Sequence, residues 1–266
     1  MNDIIYWIWL SILNLKPIEK IKLIEFFNNP KEIFNLKENT LKKLTNSEEL
    51  IFKIINKEKR FEAESIFYEA IKNNIKLILY TNKKYSKNLK KIYDYPILLF
   101  AKGNIELLNT NSISIVGCRN CSEYGKKVAE KFAYNLSKRN ITIVSGMAKG
   151  IDSYAHKGAL IARGKTIAVL GSGVEYIYPK ENKQLYESIL INNGLIISEY
   201  GIRTRPMPEY FPQRNRIISG LSDKILVVEA TKNSGSIITA NFAANQGKDI
   251  YAIPGNINSN NSSRNK

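Results

Sequence analysis

The sequence predicts an α/β fold: a doubly wound, mainly parallel sheet preceded by a small all-helical domain. Three observations predict it. After Ala101, short apolar runs rich in β-branched residues alternate with stretches of helical spacing. Those runs are apolar at successive positions, as strands buried on both faces require. Before residue 73, the apolar residues recur only at helical intervals.

The helical part comes first. Apolar residues follow helical spacing in Ile18–Phe27 and again in Phe61–Ile71, and Pro17 and Pro30 punctuate the region. Residues 1–72 thus read as a small domain of several short helices, with lysines and glutamates alternating on its solvated faces. The start, Ile4–Leu15, is apolar but short, and Lys16-Pro17 stops it. It reads as neither a signal peptide nor a membrane span, so a cytoplasmic protein is expected.

Ile75–Tyr80 and Pro96–Ala101 are strand-like runs, joined by a basic, tyrosine-containing loop, Thr81–Tyr95. Ser112–Gly117 opens the alternating region as a strand and Ser122–Lys138 follows as a helix, with Val128, Ala129, Phe132, Ala133 and Leu136 on one face. Ile141–Val144 and Ile151–Ala162 form the next strand and helix, then Thr166–Leu170 and Glu181–Ile191. Leu195–Ser198, Lys224–Val228 and Ile250–Ile253 are further strands, interleaved with helices at Gln213–Leu221 and Ser236–Asn245. The whole of 73–255 therefore reads as one Rossmann-like domain, whose ligands bind at the carboxyl ends of the strands. Residues 256–266 are nearly all Asn, Ser and charge and are expected to be a disordered tail.

Charge points to the class of partner. The 266 residues carry a formal net charge of +16, which favours a polyanion. Residues 1–110 contribute +6 and the glycine-bearing remainder +10. An Asn-, Ile- and Lys-rich composition is a second source of lysines with no functional meaning. Two cysteines and one histidine exclude a disulfide framework and an ordinary zinc cluster.

The informative residues fall at the strand ends. Ser145-Gly146-Met147-Ala148-Lys149-Gly150-Ile151-Asp152 sits where a strand hands over to a helix. Its glycines let the backbone approach a ligand, and the next helix would offer free N–H groups. The stretch is either a phosphate-binding turn or a tight connection that needs glycine for geometry alone. Gly117-Cys118-Arg119 ends the first strand, and an arginine there can hold phosphate bidentately. Gly171-Ser172-Gly173 ends the third, followed by Tyr178-Pro179-Lys180. Position 176 is Tyr, so the full dinucleotide fingerprint is missing. Phe211-Pro212-Gln213-Arg214-Asn215-Arg216 sets two arginines and an amide beside an aromatic ring. Such a stretch suits single-stranded nucleic acid, or a buried arginine network tying a loop to the sheet; both readings stand.

Three patterns are set aside. Cys118-x-x-Cys121 has redox spacing, but a small residue in the glycine turn explains Cys118. Gly158 to Gly164-Lys165-Thr166 has five intervening residues where a phosphate-binding P-loop needs four, and it runs from helix into strand. Asp152 and His156, one helical turn apart, have no nucleophile or metal partner in view and read as a helix-local hydrogen bond.

Together these stretches resemble the DNA-processing protein A (DprA, or Smf) family, in order and spacing, from about Pro96 to Gly255. The resemblance also rests on Ile197-Ser-Glu-Tyr200, Val227-Val-Glu-Ala230, Ser234-Gly-Ser-Ile-Ile-Thr-Ala240 and Pro254-Gly255. It implies a Rossmann-like domain that binds single-stranded DNA, forms a homodimer and helps load the RecA recombinase in natural transformation (competence), with no catalysis and no cofactor. Carried over by position, Arg119 and Lys180 are DNA contacts, and Arg214 and Arg216 line or support the pocket. The full expected site is Gly117, Arg119, Ser145, Gly146, Lys149, Gly171, Ser172, Lys180, Arg214, Asn215 and Arg216. The alternative is a Rossmann-like enzyme acting on a nucleotide or nucleotide-derived ligand. This sequence lacks the family's glycine-rich hairpin before Ile18, and it departs from the family pattern after Gly255.

Overall fold

A computed structural model describes residues 3–56, 58–231 and 234–255. The expected tail, 256–266, lies outside the described residues. Six helices come first: α1 (Ile4–Ile12), α2 (Pro17–Phe27), α3 (Pro30–Phe34), α4 (Glu38–Leu44), α5 (Glu48–Ile55) and α6 (Glu58–Lys72). Pro17 and Pro30 each stand in a first turn, where the missing N–H has no intrahelical role. Asn28, at φ 60°, closes α2, and the Ser47 hydroxyl accepts the Leu50 N–H to cap α5. These helices pack around Trp9, which is fully buried and meets Phe34 edge-on at 5.1 Å. The same apolar core runs on into Ile97, Leu98, Phe100, Val174 and Ile202, so the helices share their interior with one end of the sheet.

The sheet has eight strands among the described residues: β1 (Lys76–Leu79), β2 (Leu98–Gly103), β3 (Ser112–Val116), β4 (Thr142–Ser145), β5 (Thr166–Val169), β6 (Leu195–Ser198), β7 (Lys224–Val227) and β8 (Asp249–Ala252). Their order is β1-β2-β6-β5-β4-β3-β7-β8. From β6 to β8 every pairing is parallel; β1 and β2 extend the β6 edge antiparallel. The chain steps from β3 outward to β6 and then returns to β7, so the sheet is doubly wound with its reversal between β3 and β7. The helices α7 (Glu123–Ser137), α8 (Ile151–Ile161), α9 (Lys183–Ile191), α10 (Tyr210–Leu221) and α11 (Gly235–Asn245) complete it.

β4, β5 and β6 are buried at every position, the consequence of helices covering both faces. Gly117, Ser145-Gly146 and Gly171 follow the three neighbouring strands β3, β4 and β5, and so line one end of the sheet. One expectation needs adjusting. Phe132 is 42 % exposed, because α7 packs on the sheet and α8 through Gly125, Ala129 and Ala133, one step round the helix. Small residues there let α7 and α8 approach closely: a methyl on Gly158 would collide with the Glu130 carbonyl. The basic Thr81–Tyr95 loop keeps its lysines exposed, while Tyr85, Leu89, Ile92 and Asp94 are buried and cover the sheet. Among the described residues, no helix is long and apolar enough to cross a membrane.

Candidate nucleic-acid interface

The glycine turns place backbone donors at the sheet end, but the chain fills them with its own carboxylates. After β4, Met147 at φ 59° and Gly150 at φ 76° fold the backbone back on itself. Asp152, in the first turn of α8, accepts the N–H of Gly146 at 3.1 Å and of Ala148 at 3.4 Å. Glu229, just past β7, does the same at α7: one carboxylate oxygen takes the Ser122 N–H at 2.9 Å and the other the Ser122 hydroxyl. One N–H at the start of α7 and two in the turn before α8 are thus met by the chain's own carboxylates. The first expectation for this turn, a backbone-cradled phosphate, therefore loses the Gly146 and Ala148 donors, which Asp152 takes.

Arg214 supports this arrangement from below. It is 4 % exposed and lies on α10. One guanidinium nitrogen donates to the Gly146 carbonyl at 2.7 Å and to the Val169 carbonyl, joining the ends of β4 and β5. Its Nε donates to Asn215 Oδ1 at 3.1 Å, and Asn215 in turn donates to the Gly235 carbonyl. Burial pushes the Arg214 pKa down to about 10, against the attraction of Asp152. Arg216 is 1 % exposed and pairs with Glu199 and with Asp94 at 3.4 Å. Of the two readings of this stretch, the buried arginine network is the one these contacts form. Both guanidiniums are turned onto the chain's own carbonyls and carboxylates, so Arg214, Asn215 and Arg216 act here as positioning groups.

Ser145 donates to the Ile115 carbonyl and Ser172 to the Tyr176 carbonyl; both are buried. Gly117 and Gly171 serve close packing: a methyl on Gly117 would stand 2.5 Å from Ile151, and one on Gly171 3.0 Å from the Phe211 ring. Lys149 is exposed and pairs with Glu181 at 2.5 Å. His156 does not pair with Asp152. It is fully buried, and its Nδ1 lies 2.7 Å from the Thr166 hydroxyl, which itself donates to the Ile143 carbonyl. Nδ1 therefore carries the proton, and burial with the nearby Arg214 charge holds the ring neutral, its pKa pushed down to about 3. Burial pushes the Cys118 and Cys121 thiols up, the reverse of what a reactive redox pair needs.

What remains exposed is a file of cation and rings. The Arg119 guanidinium lies 5.3 Å over the centre of Phe211, and Phe211 meets Tyr178 at 5.5 Å. Lys180 follows two residues later, exposed and with no ion pair among the described residues. Arg119, Lys149 and Lys180 supply charge; Phe211 and Tyr178 supply faces for stacking. The aromatic pair was missing from the expected site. Its signal was in the sequence, in Tyr178-Pro179 and Phe211-Pro212, but only folding brings residues 33 apart into ring contact.

Residues 76–266 match the family described as DNA recombination-mediator protein A. The chain belongs to that family. It is 49 % identical over 173 residues to the DNA processing protein DprA of Streptococcus pneumoniae, covering 65 % of this chain and 61 % of that protein. It is 42 % identical over 184 residues to the DprA of Bacillus subtilis, covering 69 % and 62 %. The chain thus spans about three fifths of the length of these family members. The fold agrees with the solved DprA of S. pneumoniae at a TM-score of 0.80 and 36 % identity, over 99 % of this chain and 90 % of that one. A second family structure, from Helicobacter pylori, is described for its single-stranded DNA binding mode. It matches at a TM-score of 0.63 and 31 % identity, over 69 % of this chain and 83 % of that one.

Proposed function

We propose that this family member binds single-stranded DNA across the Arg119–Phe211–Tyr178 file and acts as a recombination mediator. The observation that carries the reading is that file itself: an exposed guanidinium stacked on one ring, a second ring beside it, and Lys180 next in line. Phosphates meet Arg119, Lys180 and Lys149, while bases stack on Phe211 and Tyr178. Duplex DNA binds less well, because paired bases cannot turn onto the rings. Loading of the RecA recombinase, as in natural transformation, by a cytoplasmic homodimer is part of this proposal; what supports it is the family's description as a recombination mediator. No catalysis is invoked. The rival reading, an enzyme for a nucleotide-derived ligand, has fewer open donors at these turns, since Asp152 takes the Gly146 and Ala148 N–H groups and Glu229 takes that of Ser122.

Fluorescence anisotropy on single strands and on duplex tests the binding. Two or three phosphates neutralised give a log K against log salt slope of about −1.4 to −2.1 on a single strand. Equal affinity for single strand and duplex, or no salt dependence, defeats the reading. Addition of RecA to the DNA-bound protein, read as filament assembly, tests the mediator role separately.

A further inference from the structure

A cavity of about 890 Å³ lies between the helices and the β6 side of the sheet. Its walls include Lys16 and Lys20 of the α1–α2 corner, and Tyr200, Tyr210 and Gln213 of the Rossmann-like part. The volume is that of a pocket for one nucleotide-sized ligand. Lys20 lines it with no ion pair among the described residues. Its ammonium donates to the Ser11 carbonyl, and burial pushes its pKa down to about 8 despite the attraction of Glu199. The neighbouring carboxylates are otherwise engaged: Glu199 with Arg216, Glu19 with the Lys16 N–H, Glu49 with Lys53 and Glu62 with Lys59. Of the carboxylates lining the cavity, Glu209 alone has no partner among the described residues. Such a lining admits one phosphate beside Lys20 and disfavours a run of them.

The aromatic wall adds the second half. Tyr200 and Tyr210 stack with centroids 4.3 Å apart and planes at 27°. Tyr210 is also the neighbour of Phe211 in the first turn of α10. A single residue step in the first turn of α10 therefore links the cation–ring file to the cavity, with Phe211 in one and Tyr210 lining the other.

We propose that this cavity holds a single nucleoside monophosphate unit, its base against the Tyr200–Tyr210 pair and its phosphate at Lys20. The unit is either one nucleotide of the strand seated on Phe211, continued round the start of α10, or a free mononucleotide. The first source rests on the strand reading above; the second does not.

Oligothymidylates lengthened one residue at a time, with 5-iododeoxyuridine at each position in turn, distinguish them. Photocrosslinking of the wild-type protein should attach one position to Tyr200 or Tyr210, identified by mass spectrometry. Lys20→Gln should leave the shortest bound oligomer unaffected and weaken longer ones about three- to tenfold. Gln213→Ala, at an exposed position, gives the same pattern if Lys20→Gln fails to fold. Thymidine monophosphate, titrated by calorimetry, reads the free source: binding lost in Lys20→Gln, with oligomers of every length unaffected, assigns the cavity to a free nucleotide. No crosslink to either tyrosine, no mononucleotide binding and no length-dependent loss overturn the proposal. Arg119→Ala with unchanged affinity for the shortest oligomer sinks the strand reading instead, and leaves the mononucleotide arm to decide the cavity.

Discussion

The carboxylate of Asp152 accepts the N–H of Gly146 at 3.1 Å and that of Ala148 at 3.4 Å, and with those contacts two donors of the glycine turn after β4 are withheld from an outside anion. Asp152 also faces the buried Arg214 charge. Asp152→Ala leaves two backbone donors and a guanidinium short of a partner, at a cost of about 2–4 kcal/mol in urea unfolding. The emptied turn should then take an anion. Sulfate is expected to raise the melting temperature of Asp152→Ala more than that of wild type; equal shifts mean the turn is not a latent anion seat.

Two arginines of this chain separate function from stability. Arg119 is exposed on Phe211, whereas Arg216 is 1 % exposed between Glu199 and Asp94. Arg119→Ala should weaken single-strand binding and reduce the salt slope by about 0.7, with unfolding midpoint nearly unchanged. Arg216→Ala should cost about 3–5 kcal/mol in stability, because it strands the buried Asp94 and the half-buried Glu199. A variant pair with the opposite pattern would reverse the assignment of these side chains.

Phe211→Leu tests the rings apart from the charges. It removes the stacking face but no cation, so affinity should fall by about 1–3 kcal/mol with the salt slope preserved. A changed slope with little loss of affinity would mean that Phe211 serves only to hold Arg119.

His156 makes stability depend on pH in one direction. Its folded pKa is pushed down to about 3 from an ordinary 6.5. The unfolded chain therefore takes up a proton that the folded chain refuses. The folded state is fully favoured above pH 6.5 and loses about 1.4 kcal/mol per unit as the pH falls toward 3. It is the chain's one histidine, and burial raises the Asp94 and Asp152 carboxyls, whose linkage has the opposite sign. Urea unfolding of His156→Gln should lack the loss of stability that wild type shows as the pH falls from about 6 toward about 5. A slope that persists there assigns the proton uptake to another group.

Cys118→Ser should leave DNA affinity unchanged, and reductant should have no effect on wild type, because both thiols are held protonated by burial. Affinity that tracks the redox state of the buffer would revive the Cys118-x-x-Cys121 motif as a switch.

The sequence by itself determined the alternation of strands and helices, and with it the parallel sheet. Runs such as Leu195–Ser198 are apolar at nearly every position, and only a strand covered on both faces uses such a run. It also determined where the glycine turns fall, since Gly117, Gly146 and Gly171 each follow such a run at once. Arg119 and Lys180 were legible for the same reason: local position after a strand puts a side chain at the ligand end of the sheet. Only the tertiary structure decided which candidates reach solvent. Arg214 and Arg216 share a pattern with surface arginines, and their burial follows from how α10 lies across the ends of β4 and β5. Asp152 lies six residues from Gly146, yet its capture of that turn depends on a left-handed Met147 that no local preference signals. Glu229 reaches Ser122 across 107 residues, and Tyr178 reaches Phe211 across 33. Periodicity and turn chemistry act over a few residues. Which carboxylate neutralises which helix end, and which rings stack, is decided by long-range packing that brings the strand ends together.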